Sequence, residues 1–191
     1  MSEICRICQF NLNEIIHFGK MPLANAFLTT DQFDQEYFFD LILCICPSCG
    51  MLQLQYQPNP KKMFHDHYAF FSSTSHKMSE HFLQFANEIK NNYLDSKKCP
   101  LIVEIGSNDG IFLKNFLKTS IRHLGIEPSF NVAKVAQEKG INTLSDFFNK
   151  DLSAQIIAKY GKADVVTAAN VMCHIPNITS VIQGVIELLQ P

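Results

Sequence analysis

The sequence predicts an α/β protein in which a small, metal-held N-terminal module precedes the first part of a parallel sheet wound with helices. Three observations carry that reading. Four cysteines fall into two C-x-x-C pairs, Cys5-Arg6-Ile7-Cys8 and Cys46-Pro47-Ser48-Cys49. Beyond Pro100, short apolar runs alternate with amphipathic stretches, the succession that builds βαβ units. The loop after the first of those runs, Gly106-Ser107-Asn108-Asp109-Gly110, carries a glycine at each end.

Composition narrows the class. The chain has 191 residues with 16 Lys+Arg against 18 Asp+Glu, a net charge of −2, so it lacks the basic excess that holds nucleic acid by phosphate neutralisation. At 47% hydrophobic and 18% charged, with 16 Phe, it has the apolar surface for a packed core. The N-terminus shows no basic stretch followed by a long apolar one, and the longest clean apolar run, 41–46, is far below the ~18 residues of a membrane span. The expectation is a cytoplasmic protein without a membrane partner, whose seven cysteines stay reduced and are read as metal ligands before disulfides.

Residues 1–60 form the first predicted module, rich in Cys, Pro and short apolar pieces without a 3.6-residue period; 37–46 reads as its best strand. A connecting segment, 61–98, contains an amphipathic helix over about 76–94, its inward stripe formed by Met78, Phe82, Phe85, Ile89 and Tyr93. The third segment, 99–191, has strands predicted at 101–105, 121–126, 141–144 and 163–169. Helices are predicted at 111–118, 130–139, 150–159 and 178–189. Ser129 and Asn177 stand at N-cap positions, and Gly140 stops the second helix. Right-handed crossovers then give a parallel sheet covered on both faces, with ligands outside the carboxyl ends of its strands.

A C-x-x-C turn sets two thiolates about one tetrahedral edge apart, and two such turns complete the shell that Zn²⁺ prefers. Cys5, Cys8, Cys46 and Cys49 are therefore the predicted ligands of a structural zinc, which leaves no open position for chemistry. Cys44 breaks the spacing, while Cys99 and Cys173 are expected to be small core residues.

The crevice reading rests on strand ends. Gly106 would admit a ligand close to the backbone, and Gly110 would let the following helix pack tightly. Asn108 stands where a dinucleotide fingerprint needs its middle glycine, which counts against a nicotinamide enzyme. Glu104 at the end of the first strand suits the ammonium of an amino-acid moiety. Glu127, followed by Pro128, ends the second strand where a carboxylate accepts ribose hydroxyls. The bland alternatives are a solvated Glu104 and a helix-capping Glu127. Asp146 and Phe147 would flank an adenine, although Phe147 and Phe148 serve equally well as core. Asn170 and His174 follow the fourth strand at the crevice mouth, where His174 is either a wall of the site or a helix-entry residue. Together these features describe an S-adenosylmethionine site rather than a nucleoside-phosphate one.

Six blocks then carry a family resemblance: the two knuckles, 21–27 (MPLANAF), 68–73 (YAFFSS), 104–110 (EIGSNDG), 125–128 (GIEP) and 170–175 (NVMCHI). In that order they resemble the sugar C-methyltransferases of deoxysugar biosynthesis, which join an N-terminal zinc-binding domain to a Rossmann-like S-adenosylmethionine domain. The resemblance implies methylation of a carbon beside a ketone, commonly C3, on a nucleotide-linked 4-keto-6-deoxysugar. Such a carbon becomes nucleophilic only as an enolate, so a base and an oxyanion stabiliser are required. It also implies that Asn25, Tyr68, Ser72 and Ser73 face the sugar or the methyl donor, with Tyr68 the proton-handling or enolate-stabilising hydroxyl. A half-buried tyrosine beside a Phe cluster is the equal alternative for Tyr68. Family members continue beyond the region matched here into a fifth strand, a Tyr-His-Glu-His segment and a further domain. The expectation is a C-terminally truncated chain with about four strands, without the principal base, binding the methyl donor weakly or not at all by itself. Its alternative is a zinc-stabilised binding or scaffold module completed by a partner chain.

Overall fold

The computed structural model describes residues 4–24 and 26–190. It divides into two compact units, one reaching Phe64 and including Ile175–Thr179, the other formed by His65–His174 and the residues from Ser180 onward. No helix among the described residues is long and apolar enough to cross a membrane.

In the first unit, β1 (Asn13–Pro22), β2 (Phe38–Ile45) and β3 (Leu52–Leu54) form an antiparallel sheet in that order. β2 alternates cleanly, turning Ile42 and Cys44 inward opposite Gln53 of β3. β1 is absent from the sequence-based prediction. Register shifts between Glu14 and Ile16 and between His17 and Lys20 break its alternation, and Gly19 at φ +83° takes the second irregularity. A short helix α1 (Pro60–Met63) follows, with Pro60 at its first position and the Asn59 side chain accepting from the Lys61 N–H.

The second unit opens with α2 (His76–Ile89), capped by Ser75 and burying Phe82, Ala86 and Ile89. A π turn, Lys90–Leu94, then inserts one residue, closed by the Asp95 N–H on the Lys90 carbonyl at 2.9 Å. The predicted stripe breaks there: Leu94 turns inward at 1% exposure, whereas Tyr93 is 56% exposed. Met78, also predicted inward, is exposed.

The parallel sheet comprises β4 (Leu101–Ile105), β5 (Arg122–Ile126), β6 (Thr143–Leu144) and β7 (Val165–Thr167), in the order β6-β5-β4-β7. Chain direction across the sheet reverses at β4, so the switch point lies between β4 and β7. Every residue of β4 is buried, as a central parallel strand requires. Helices α3 (Phe130–Glu138), α4 (Lys150–Tyr160) and α5 (Ile178–Leu188) match three of the four predicted. The fourth, 111–118, contracts to a 3-10 turn at Leu113–Phe116. There the Asn115 amide bonds the Ile111 and Phe112 carbonyls at 3.3 and 2.8 Å, and the Thr119 hydroxyl takes that of Phe116, offering carbonyls a side-chain alternative to the helix ladder.

Gly140, at φ +84°, ends α3 as expected: its N–H reaches the Gln137 carbonyl and that of Ile141 reaches Ala136, the two bonds of a Schellman motif. Ser129 holds the N-cap position, but its hydroxyl caps nothing. Phe82, Leu94, Phe112, Phe116 and Ile141 lie in the core under the sheet, with the Phe112 and Phe116 rings edge to face at 5.3 Å. Cys99 and Cys173 are exposed, not core as expected: Cys99 precedes β4 at φ +54°, and Cys173 lies in a 3-10 turn, Met172–His174.

Candidate metal centre and cofactor crevice

The sulfurs of Cys5, Cys8, Cys46 and Cys49 all lie within 4.8 Å of one another, with Cys5–Cys49 at 3.6 Å and Cys8–Cys46 at 3.4 Å. A tetrahedral shell at the usual Zn–S distance has edges of about 3.8 Å, so this donor set fits zinc. The turns supply N–H groups to the sulfurs: Ile7 points at Cys5 from 3.4 Å, and the Cys8 N–H holds the Cys5 thiol down at about 7. The Met51 N–H works in the same direction on Cys49, but burial and the three neighbouring thiols push that group up to about 12. Sulfurs this close cannot all ionise without a cation among them. Arg6 sits in the first knuckle with its guanidinium on the Leu54 carbonyl at 2.6 Å, a positive charge beside the thiolates. Cys44 is buried outside the cluster, its thiol pushed up by burial.

The crevice lies in the second unit, at the carboxyl ends of β4, β5 and β7. Glu104 is buried, one of its oxygens has no hydrogen-bond partner, and Thr167, its register partner on β7, likewise buries an unpaired hydroxyl. Burial first, then the Glu127 and Asp109 charges, hold the Glu104 carboxyl well above the usual range. Nothing in the sequence marked Thr167 except a polar residue ending a Val-Val-Thr strand.

Glu127 accepts from the Asn108 N–H at 3.0 Å with one oxygen and from the Ser129 N–H at 2.8 Å with the other. Burial raises its pKa while these two bonds lower it, with burial prevailing. Each oxygen keeps lone-pair capacity for a further donor.

The glycines act differently from expectation. The Gly106 and Ser107 N–H groups are both given to the Ile126 carbonyl, and a Cβ on Gly106 would lie 2.3 Å from Val171 Cγ2. Gly106 thus admits the Val171 side chain to the backbone, where a ligand was expected. Gly110 makes room for Ile141, whose Cδ1 would be 2.1 Å from an added Cβ.

Asn108 and Asp109 face the segment before α2. Asn108 accepts from the Ser72 N–H and donates to the Phe70 carbonyl, and Asp109 is paired with Lys139 at 3.0 Å and accepts from the Ser73 N–H. Tyr68 is half-buried, its carbonyl held by the Asn131 amide at 2.9 Å. The structure therefore brings Tyr68, Ser72 and Ser73 beside the loops after β4 and β5. Pro128 and Phe147 are half-buried, Phe148 is core, and Asp146, Asn170 and His174 are exposed. Asn25 lies outside the described residues.

A family model for a zinc binding domain matches residues 5–64, and one for a methyltransferase domain matches 103–191. The chain is therefore similar to a zinc binding domain over its first part and to a methyltransferase domain over its second. The C-methyltransferase NovU of Streptomyces niveus is 29% identical over 189 residues, 98% of this chain and 44% of that relative, so the chain spans less than half of NovU's length. Among solved structures, magnesium protoporphyrin IX methyltransferase from Synechocystis PCC 6803 with bound SAM aligns at TM-score 0.44 and 15% identity, over 68% of this chain and 64% of that one. A SAM-dependent methyltransferase from Thermotoga maritima aligns at 0.38 and 16%, over 62% and 53%. The two family matches divide the chain between its two clusters, with all four clustered cysteines in the first and both acidic strand ends in the second.

Proposed function

We propose that the parallel-sheet unit holds S-adenosylmethionine and that the complete protein methylates carbon, with a nucleotide-linked 4-keto-6-deoxysugar as substrate and C3 as the acceptor, in the cytosol. The observation that carries the cofactor reading is the buried, unpartnered oxygen of Glu104 beside the unpaired Thr167 hydroxyl. An orphaned acceptor pair at the end of a central strand suits an ammonium group, and Glu127, one strand over, suits ribose hydroxyls. Gly106, Asn108, Gly110 and Pro128 shape the floor, Asp146, Phe147, Asn170 and His174 the rim.

When bound, the sulfonium supplies an electrophilic methyl group. The residues of this chain bind and orient. Glu104 and Glu127 fix the two ends of the donor, and the half-buried Tyr68 presents a hydroxyl able to stabilise an enolate oxygen or relay a proton. The likeness to NovU supports carbon as the acceptor. Zinc supports the N-terminal fold and takes no part in methyl transfer.

β7 ends the strand order β6-β5-β4-β7, so among the described strands its side away from β4 is unpaired. A groove of about 460 Å³, lined by Phe85, Ile89, Tyr93, Val165 and Leu189, runs along that edge. A further strand, from the same polypeptide or a partner chain, docks there and supplies the principal base. The 191-residue chain then binds the donor more weakly than the completed protein.

The test incubates the 191-residue chain, and a version extended through the NovU-like remainder, with methyl-labelled S-adenosylmethionine and nucleotide 4-keto-6-deoxysugars. Label on a sugar carbon with the extended chain is expected. Label on oxygen, or none, refutes the reading, and low-micromolar donor binding by the short chain in calorimetry refutes the need for completion.

A further inference from the structure

The segment Tyr68–Ser73 runs outside any sheet, yet four of its backbone groups are satisfied by side chains from distant loops. Asn131, in the first turn of α3, donates to the Tyr68 carbonyl at 2.9 Å. Asn108 donates to the Phe70 carbonyl at 3.1 Å and accepts from the Ser72 N–H at 2.8 Å. Both oxygens of Asp109 lie 3.3 Å from the Ser73 N–H. Backbone groups in an irregular segment must find partners, and here the partners decide where it lies.

The clasp residues are themselves fixed. Asp109 is buried and paired with Lys139, whose ammonium also reaches the Ser73 hydroxyl at 3.4 Å. Asn108 sits at φ +50°, a conformation asparagine tolerates, and its own N–H is held by Glu127. A carboxamide offers a donor and an acceptor on adjacent atoms and so serves Phe70 and Ser72 together, which an ionised carboxylate, an acceptor only, could not. A continuous path therefore runs from Glu127 through Asn108 to the strap.

We propose that Asn108 and Asp109 are positioning residues that clasp the Tyr68–Ser73 strap to the loop after β4, so that donor binding at Glu127 and placement of Tyr68 are coupled through Asn108. The coupling, though not the clasp itself, rests on the donor reading above. It assigns the Asn108 side chain to the strap and leaves the cofactor to Glu104 and Glu127.

Residue-resolved amide exchange on the 191-residue chain tests this, with wild type, Asn108→Gly, Asn108→Asp and Asp109→Ala, each with and without S-adenosylhomocysteine. Glycine adopts the positive φ freely, so Asn108→Gly removes the amide without adding strain. In that variant the Ser72 amide should exchange about tenfold faster, the change one net hydrogen bond supplies, while β4 amides keep their protection. Asn108→Asp, which retains the acceptor, should restore Ser72 protection, and Asp109→Ala should release Ser73 independently. Added S-adenosylhomocysteine should slow Ser72 exchange in wild type and bind Asn108→Gly less tightly. Unchanged Ser72 and Ser73 exchange in the glycine and alanine variants, with β4 intact, overturns the clasp. Equal affinity of wild type and Asn108→Gly overturns the coupling. No binding to wild type overturns the donor reading and the coupling together, while faster Ser72 exchange would still support the clasp.

Discussion

Replacing Gly106 by alanine probes how the crevice is closed, because its glycine is required twice over. At φ +68° an L side chain costs about 1–2 kcal/mol in backbone strain. The new Cβ would also stand 2.3 Å from Val171 Cγ2, with Cγ1 at 3.1 Å and Cβ at 3.3 Å. Both branches of Val171 and its Cβ lie within 3.3 Å of the new atom, so Val171 must leave its rotamer or shift, an overpacking cost of about 1–3 kcal/mol. The sum is about 2–5 kcal/mol, or a fall of about 6–15 °C in Tm for a chain of this size. Val171→Ala by itself should cost about 1 kcal/mol for the half-buried methyl groups it removes. In the double variant the clash disappears and the strain remains, leaving a total of about 2–3 kcal/mol. The cycle should therefore show a favourable coupling of about 1–3 kcal/mol between residues far apart in sequence. Melting followed by circular dichroism at fixed zinc concentration measures all four proteins. Additive losses would refute the steric half of the reasoning, and a Gly106→Ala loss below about 2 °C would refute both halves.

Two further predictions follow from the metal centre and the buried acids. Elemental analysis should find one zinc per chain, and chelation or Cys46→Ser should release amide protection in β1, β2 and β3; a sheet that keeps its protection without metal would contradict the structural role. Glu104 and Glu127 both have raised pKa values in the fold, so the folded chain retains protons that the unfolded chain loses. Stability should therefore fall as pH rises from the ordinary carboxylate range through the raised values. Glu104→Gln, which stays neutral, should flatten that slope, and an unchanged Tm–pH profile would count against a Glu104 carboxyl raised by its burial.

What could be read from the residues alone shares one property: the interaction is local, or the pattern is strictly periodic. The four-cysteine cluster was legible because a C-x-x-C turn sets two sulfurs in place within four residues. β4 was legible because a buried parallel strand is a short apolar run, here Leu-Ile-Val ahead of Glu104. Gly140 announced the end of α3 by the conformation it alone adopts freely. Where pattern and packing diverge, the reading slipped. β1 hid behind two register shifts that destroy alternation, and 111–118 has the composition of a helix but holds Asn115 and Thr119, which take its carbonyls. The helix 76–94 keeps its period until the π turn puts Leu94 inside in place of Tyr93.

The sequence by itself determined the fold class, the four-cysteine cluster and the two acidic strand ends, because each follows from short-range geometry or from a residue's place at the end of a strand. Tertiary structure alone decided what those residues touch. It set Thr167 opposite Glu104, filled the space above Gly106 with Val171, and turned Asn108 and Asp109 toward a strap more than thirty residues earlier in the chain. The physical reason is that side-chain hydrogen-bond partners and steric neighbours are chosen by which loops a sheet order brings together, and no local propensity encodes that order.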